Sequence, residues 1–170
     1  PNFMTGVAHV GAVEMERHLK SNHPKIIAIG TGRALRACVE QLPPMDCPQH
    51  RIVSLLGNMM SDGSATAYNV VIRMAERASA RHYPMPLPVF ARSAEEKSVL
   101  HNQEPVHNIL ELARQADVTF VGIGNIGLNA PLFVDGFLTR DDLRALERAG
   151  AAGEITSWHL HQSTQIRPIQ

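Results

Sequence analysis

Two cysteines, one tryptophan and no long apolar run make this 170-residue chain notable first for what it lacks. Cys38 and Cys47 are too few and wrongly spaced for a disulfide framework or a thiolate metal site, so both are expected as small buried residues in a reducing compartment. The apolar runs fall far short of the ~20 residues that span a bilayer, and no secretory leader is expected. Charge of one sign is missing too. Sixteen basic and sixteen acidic side chains cancel, and no basic block occurs. A nucleic-acid surface needs clustered Lys and Arg, so none is expected in this segment. Nucleophile elbows, HExxH and DxD are absent, and Ser54 and Ser61 have no identifiable base partner.

What remains is the composition of an ordinary cytoplasmic globular chain, 44% apolar and 19% charged. The sequence opens at Pro1 and ends at Gln170 without a terminal helical pattern. It reads as a single effector-binding domain over residues 1–170 and a fragment of a longer protein. Ala8, Ala12, Met15 and Leu19 share one helical face. Lys25–Gly30 (KIIAIG) reads as a buried parallel strand, and Leu35, Cys38, Val39 and Leu42 as the stripe of a following helix. Arg51–Leu56 is a second strand, followed by a helix striped by Ala67, Val70, Val71, Met74, Ala75 and Ala78. His82–Met85 is a weaker strand, interrupted by Pro84. Ser93–Glu96 has the form of a capping box, Pro105 opens a helix, and Asp117–Ile123 carries the strongest strand signal. Thr139–Asp142 caps a last helix that ends at Gly150. Strands alternating with helices predict an α/β fold, a doubly wound, mainly parallel sheet with helices on both faces, Rossmann-like.

In such folds ligands bind beyond the carboxyl ends of the strands. Gly30-Thr31-Gly32-Arg33 follows the first strand. Its glycines let amides approach a ligand, Thr31 adds a hydroxyl and Arg33 a cation; the alternative is a tight βα turn that needs glycine. Gly57-Asn58 follows the second strand, either as a hydrogen-bonding loop or as an Asn-containing turn. Thr66 and Asn69 start the next helix and either face the same crevice or act as caps. Gly122–Gly127 matches GxGxxG, but Asn129-Ala130-Pro131 opposes the helix that a dinucleotide site requires, and Asp141 and Asp142 look like first-turn residues of a helix. A ligand-crossing loop is the better reading, with no cofactor. Glu154 stands among small residues in Gly150–Ile155, as a sugar-hydroxyl acceptor or as a solvated turn residue. His159 and His161 share a side of one strand, which lacks the third ligand a metal needs.

Taken together these stretches resemble the sugar-binding domain of SorC/DeoR-type transcriptional regulators. The resemblance rests on IIAIGTGRALRACVEQLPP (26–44), IVSLLGN (52–58), VVIRMAERASARHYPMPLPVF (70–90), VHNILELARQADVTFVGIGNIG (106–127), APLFVDGFLTRDDL (130–143) and AGAAGEI (149–155), and covers about residues 7–160. It implies a fold like that of the sugar-phosphate isomerase and CoA-transferase superfamily. It further implies a sugar, polyol or sugar phosphate effector, DNA binding only through a separate amino-terminal helix-turn-helix that this chain lacks, and a homodimer or homotetramer. The family's effector contacts map onto Gly30, Thr31, Gly32 and Arg33, onto Gly57 and Asn58, onto Gly124 and Asn125, and onto Glu154. The chain departs from the family at Ala34, where Thr is frequent, and in residues 125–134, which hold no arginine. The later strands and a lysine contact of the family's domain are also missing. A sugar-phosphate isomerase or deaminase with Glu154 as general acid or base, and an oligomerisation module without ligand, are the competing readings.

Overall fold

A computed structural model describes residues 3–60, 62–156, 158–161 and 166–168, with backbone alone for 158–161 and 166–168. The chain divides into two compact units, Pro1–Val121 and Gly122–Gln170.

The first unit begins with α1 (Phe3–Leu19), which leads into β1 (Ile26–Ile29), α2 (Arg33–Glu40), β2 (Arg51–Met59), α3 (Val70–Ala78), β3 (Arg81–Pro88), α4 (Ala94–His101), α5 (Glu104–Arg114) and β4 (Val118–Phe120). Its four strands are all parallel and lie in the order β3-β2-β1-β4. Strand side chains alternate between faces. Ile27, Ile29 and Ile52 pack against Met15 and Leu19 of α1, Leu35 and Val39 of α2, and Val70 and Met74 of α3. Ile26, Ala28 and Val53 pack on the other face against Ile109, Leu112 and Ala113 of α5. Helices therefore cover both faces, as the alternation of patterns predicts. Both cysteines are buried and unpaired, and burial pushes both thiols up from their ordinary range.

Polar groups stitch the amino ends of the strands. The Ile26 N–H donates to Asp117 Oδ2 at 2.7 Å, and the Asp117 N–H to the Ile26 carbonyl at 2.8 Å. His50 is 0% exposed; its Nδ1 accepts from the Lys25 N–H at 3.0 Å and its Nε2 lies 2.9 Å from the Leu19 carbonyl. That geometry fits an imidazole whose proton sits on Nε2.

Strand lengths correct the sequence reading. β3 is a full edge strand through Pro88, since an edge position leaves the missing proline N–H groups of Pro84, Pro86 and Pro88 without cost to an inner ladder. β4 is shorter than Asp117–Ile123, ending at Phe120. β2 does not stop at Leu56 but runs through Gly57 and Asn58 to Met59, with register shifts against β3.

The second unit comprises α6 (Pro131–Val134), α7 (Arg140–Arg148), β5 (Ala151–Ile155), β6 (Trp158–His161) and β7 (Ile166–Pro168). The three strands form an antiparallel sheet in sequence order, which the sequence did not predict. Leu138, Leu143 and Leu146 make its core with Ile126, Leu132, Phe133 and Ala151. Thr139 caps α7 in a reciprocal capping box with Asp142. Ser93 caps α4 by accepting from the Glu96 N–H, but the Glu96 carboxylate takes the Arg92 N–H instead of closing the box on Ser93.

Candidate functional site

β1 and β2 are neighbours, so the segments leaving their carboxyl ends stand side by side. β1 also borders β4, where the strand order reverses, the position at which open α/β sheets form a crevice. The register places Ile29 level with Ser54 and Phe120. Gly30 is the first residue beyond, buried, with its N–H donated to the Phe120 carbonyl at 2.9 Å. Thr31 and Gly32 are half-buried and Arg33 is exposed. Gly32 adopts φ 119, a conformation that side chains resist, and holds the amino-terminal position of α2 with no side-chain cap. The first-turn N–H groups of α2 are thus left to solvent or to a ligand, at the positive end of the helix dipole.

β2 carries on four residues past Ser54 to Asn58, on the order of 10 Å at ~3.3 Å per residue. There the chain turns. The Thr66 N–H donates to the Asn58 carbonyl at 2.9 Å, and Met59 bridges to Ala65. The returning segment reaches α2, where Arg36 Nη1 donates to the Ala67 carbonyl at 3.3 Å. Ala67 is therefore the point at which the returning segment meets α2, through the fourth residue of that helix.

Two features of that segment were not legible in the sequence. Thr66 is only 8% exposed, and its hydroxyl has no hydrogen-bond partner among the described residues. A buried hydroxyl without a protein partner carries a desolvation cost, which a hydrogen bond from water or a ligand offsets. Asn69 sits at φ 42, ψ 40, the left-handed region, and occupies the cap position of α3 without capping it. The expectation that Thr66 and Asn69 serve as side-chain caps is corrected. Asn tolerates that conformation better than most residues, which is the one signal its identity offered. α2 and α3 both pack on the same face of the sheet, so two uncapped helix starts open at one edge.

Gly57 has another duty. A β-carbon on it would stand 2.3 Å from the Pro88 carbonyl oxygen and 2.5 Å from that of Leu87. Its glycine permits β3 to approach β2. Asn58 is half-buried in the same strand.

Gly124, Asn125 and Glu154 belong to the second unit. Glu154 does not lie in a loop; it is the fourth residue of β5 and half-buried. Gly124 forms a bridge with it, N–H to carbonyl at 2.9 Å and 2.8 Å in the two directions. The structure thereby joins Gly124 to Glu154 within the second unit, and in the first unit ties the segment after Thr66 to α2 through Arg36. Asn125 is exposed. Gly127 has φ 143, and Pro131 opens only the short α6, so no helix starts inside the glycine loop. The side chains of His159 and His161 lie outside the described residues. Ser54 donates its hydroxyl to the Leu56 carbonyl at 2.9 Å, a local bond that offers no nucleophile.

The family described as "Putative sugar-binding domain" matches residues 1–165. The erythritol catabolism regulatory protein EryD of Brucella abortus (strain 2308) is 32% identical over 152 residues, which is 89% of this chain and 48% of that protein. Among solved structures, a DeoR family transcriptional regulator from Listeria monocytogenes matches with TM-score 0.80 at 17% identity, over 93% of this chain and 61% of that one. The full-length sorbitol operon regulator SorC from Klebsiella pneumoniae matches with TM-score 0.78 at 20% identity, over 93% and 52%. These two establish the likeness of fold. The chain spans about half the length of the curated relatives it matches.

Proposed function

This chain belongs to the sugar-binding domain family, and from that premise we propose that it is the ligand-sensing domain of a transcriptional regulator, one that binds a sugar, polyol or sugar phosphate and catalyses no reaction. The observation that carries the reading is Thr66, buried and with no hydroxyl partner among the described residues, on the segment that meets α2 at Arg36 and leads into the uncapped start of α3. Hydroxyl and amide donors gathered at the carboxyl edge of a parallel sheet suit the oxygens of a sugar or its phosphate. Arg33 supplies the cation that a phosphate would use, while Ala34 withholds a hydroxyl there. In the second unit, Glu154 is an acceptor for sugar hydroxyls, with Asn125 beside the glycine it bridges.

Sensing requires that the ligand bind two states of the regulator unequally. In this proposal DNA contact belongs to a separate module of a cytoplasmic protein, since the charges of this chain cancel. No helix among the described residues is long and apolar enough to cross a membrane. Assembly as a homodimer or homotetramer is supported by α1, whose face opposite Ala8, Ala12 and Met15 exposes Phe3, Val7 and Val10.

Thermal denaturation against C4–C6 polyols, aldoses and their terminal phosphates tests the reading. The Brucella relative's description as a regulator of erythritol catabolism places C4 polyols first in that panel. A compound at ~100 times its dissociation constant should stabilise the fold by roughly 2.7 kcal/mol. Stabilisation by none of the classes contradicts the proposal and favours an oligomerisation module. Turnover of an aldose or ketose phosphate favours the isomerase reading instead.

A further inference from the structure

Gly124 and Glu154 are opposed across the bridge that joins the glycine loop to β5. A β-carbon built on Gly124 would stand 2.2 Å from Glu154 Oε1, 2.9 Å from Cδ and 3.0 Å from Cγ. The Glu154 side chain thus folds across the main chain of residue 124 and fills the space that any other residue would take. Backbone conformation does not ask for glycine here. The glycines with left-handed φ are Gly32, Gly63, Gly127, Gly136 and Gly150, and Gly124 is not among them. What requires glycine is the place of a carboxylate.

We propose that Gly124 is a positioning residue for Glu154, seating its carboxylate against the glycine loop so that it accepts hydrogen bonds from the hydroxyls of a neutral polyol or sugar moiety. The inference rests on the sugar-binding reading above and deepens it. An ionised carboxylate only accepts hydrogen bonds, so it favours hydroxyl donors and repels a phosphate. Residue 124 then sets hydroxyl selectivity without touching the ligand. The three atoms nearest an alanine β-carbon there all belong to the flexible Glu154 side chain, which can swing aside while the fold stays. The carboxylate alone loses its seat.

A double-mutant cycle isolates this coupling. Wild type, Gly124→Ala, Glu154→Ala and the double variant are titrated by calorimetry with erythritol, ribitol, D-ribose and their terminal phosphates. Gly124→Ala should weaken binding at least tenfold in the wild-type background and less than twofold in the Glu154→Ala background, with the melting point of the free protein unchanged. Equal losses in both backgrounds overturn the proposal, because Gly124 would then act without Glu154. Glu154→Asp, which withdraws the carboxylate from Gly124 while adding no atoms, should lose as much as Gly124→Ala; full retention of binding also overturns it. If wild type binds none of these probes, it is the sugar-binding reading that fails. The seating is then read directly from the side-chain carboxyl 13C resonance of Glu154, assigned by its loss in Glu154→Ala. It should shift and titrate differently in Gly124→Ala, and an unchanged resonance refutes the seating itself.

Discussion

Gly57 and Pro88 lie so close that a β-carbon on Gly57 would stand 2.3 Å from the Pro88 carbonyl oxygen. The obstacle is backbone, held in the β2–β3 ladder by the Gly57–Met85 and Met59–Pro88 pairings, and cannot swing aside. Gly57→Ala should therefore destabilise the first unit by about 1–3 kcal/mol, as overpacking does. Urea unfolding measures it. A variant as stable as wild type would show that the two strands separate freely.

Thr66→Val separates stability from binding. Valine keeps the shape of threonine and removes a hydroxyl that is buried with no partner among the described residues. The free protein should gain about 1 kcal/mol, the order of cost of an unmade hydrogen bond. Affinity for the effector should fall at the same time. A less stable variant with intact binding would mean that the hydroxyl serves the fold.

Acid should weaken α7. The Asp142 carboxyl is held below the ordinary aspartate range by hydrogen bonds from the Thr139 hydroxyl, at 2.6 Å, and the Thr139 N–H, at 2.8 Å. The folded state thus favours the charged form. The stabilisation is present above the unfolded chain's ordinary pKa of ~4 and is lost as pH falls through the lowered folded value. Unfolding of wild type and Asp142→Asn, followed from pH 7 to pH 2, should show wild type the more stable at neutral pH and the two converging in acid. Thr139→Ala should cost about 1 kcal/mol at pH 7, as loss of an amino-terminal cap does. A constant difference across the pH range would assign the bond another role.

The doubly wound half of the chain was legible because its signals are local. Ile26–Ile29 is rich in β-branched residues and buried throughout, and of the stripe Ala67, Val70, Val71, Met74, Ala75 and Ala78 all but Ala67, which is exposed and precedes the helix, are buried. Glu154 was misplaced in a loop because Ala151-Ala152-Gly153 has little strand propensity; its strand is made by pairing with Trp158–His161. The close approach of the Leu87 and Pro88 carbonyls to Gly57 comes from residues about thirty positions on, which its neighbours in sequence do not reveal. The left-handed turn at Asn69 and the burial of Thr66 depend on where the returning chain meets α2, which no periodicity encodes.

Backbone amide shifts of 15N-labelled chain, titrated with whichever polyol or sugar phosphate stabilises it, test the central claim most directly. The largest changes are predicted at Thr31–Ala34 and Thr66–Asn69. Changes confined to α1 or α7, with those segments silent, would contradict it and place the ligand elsewhere on the molecule.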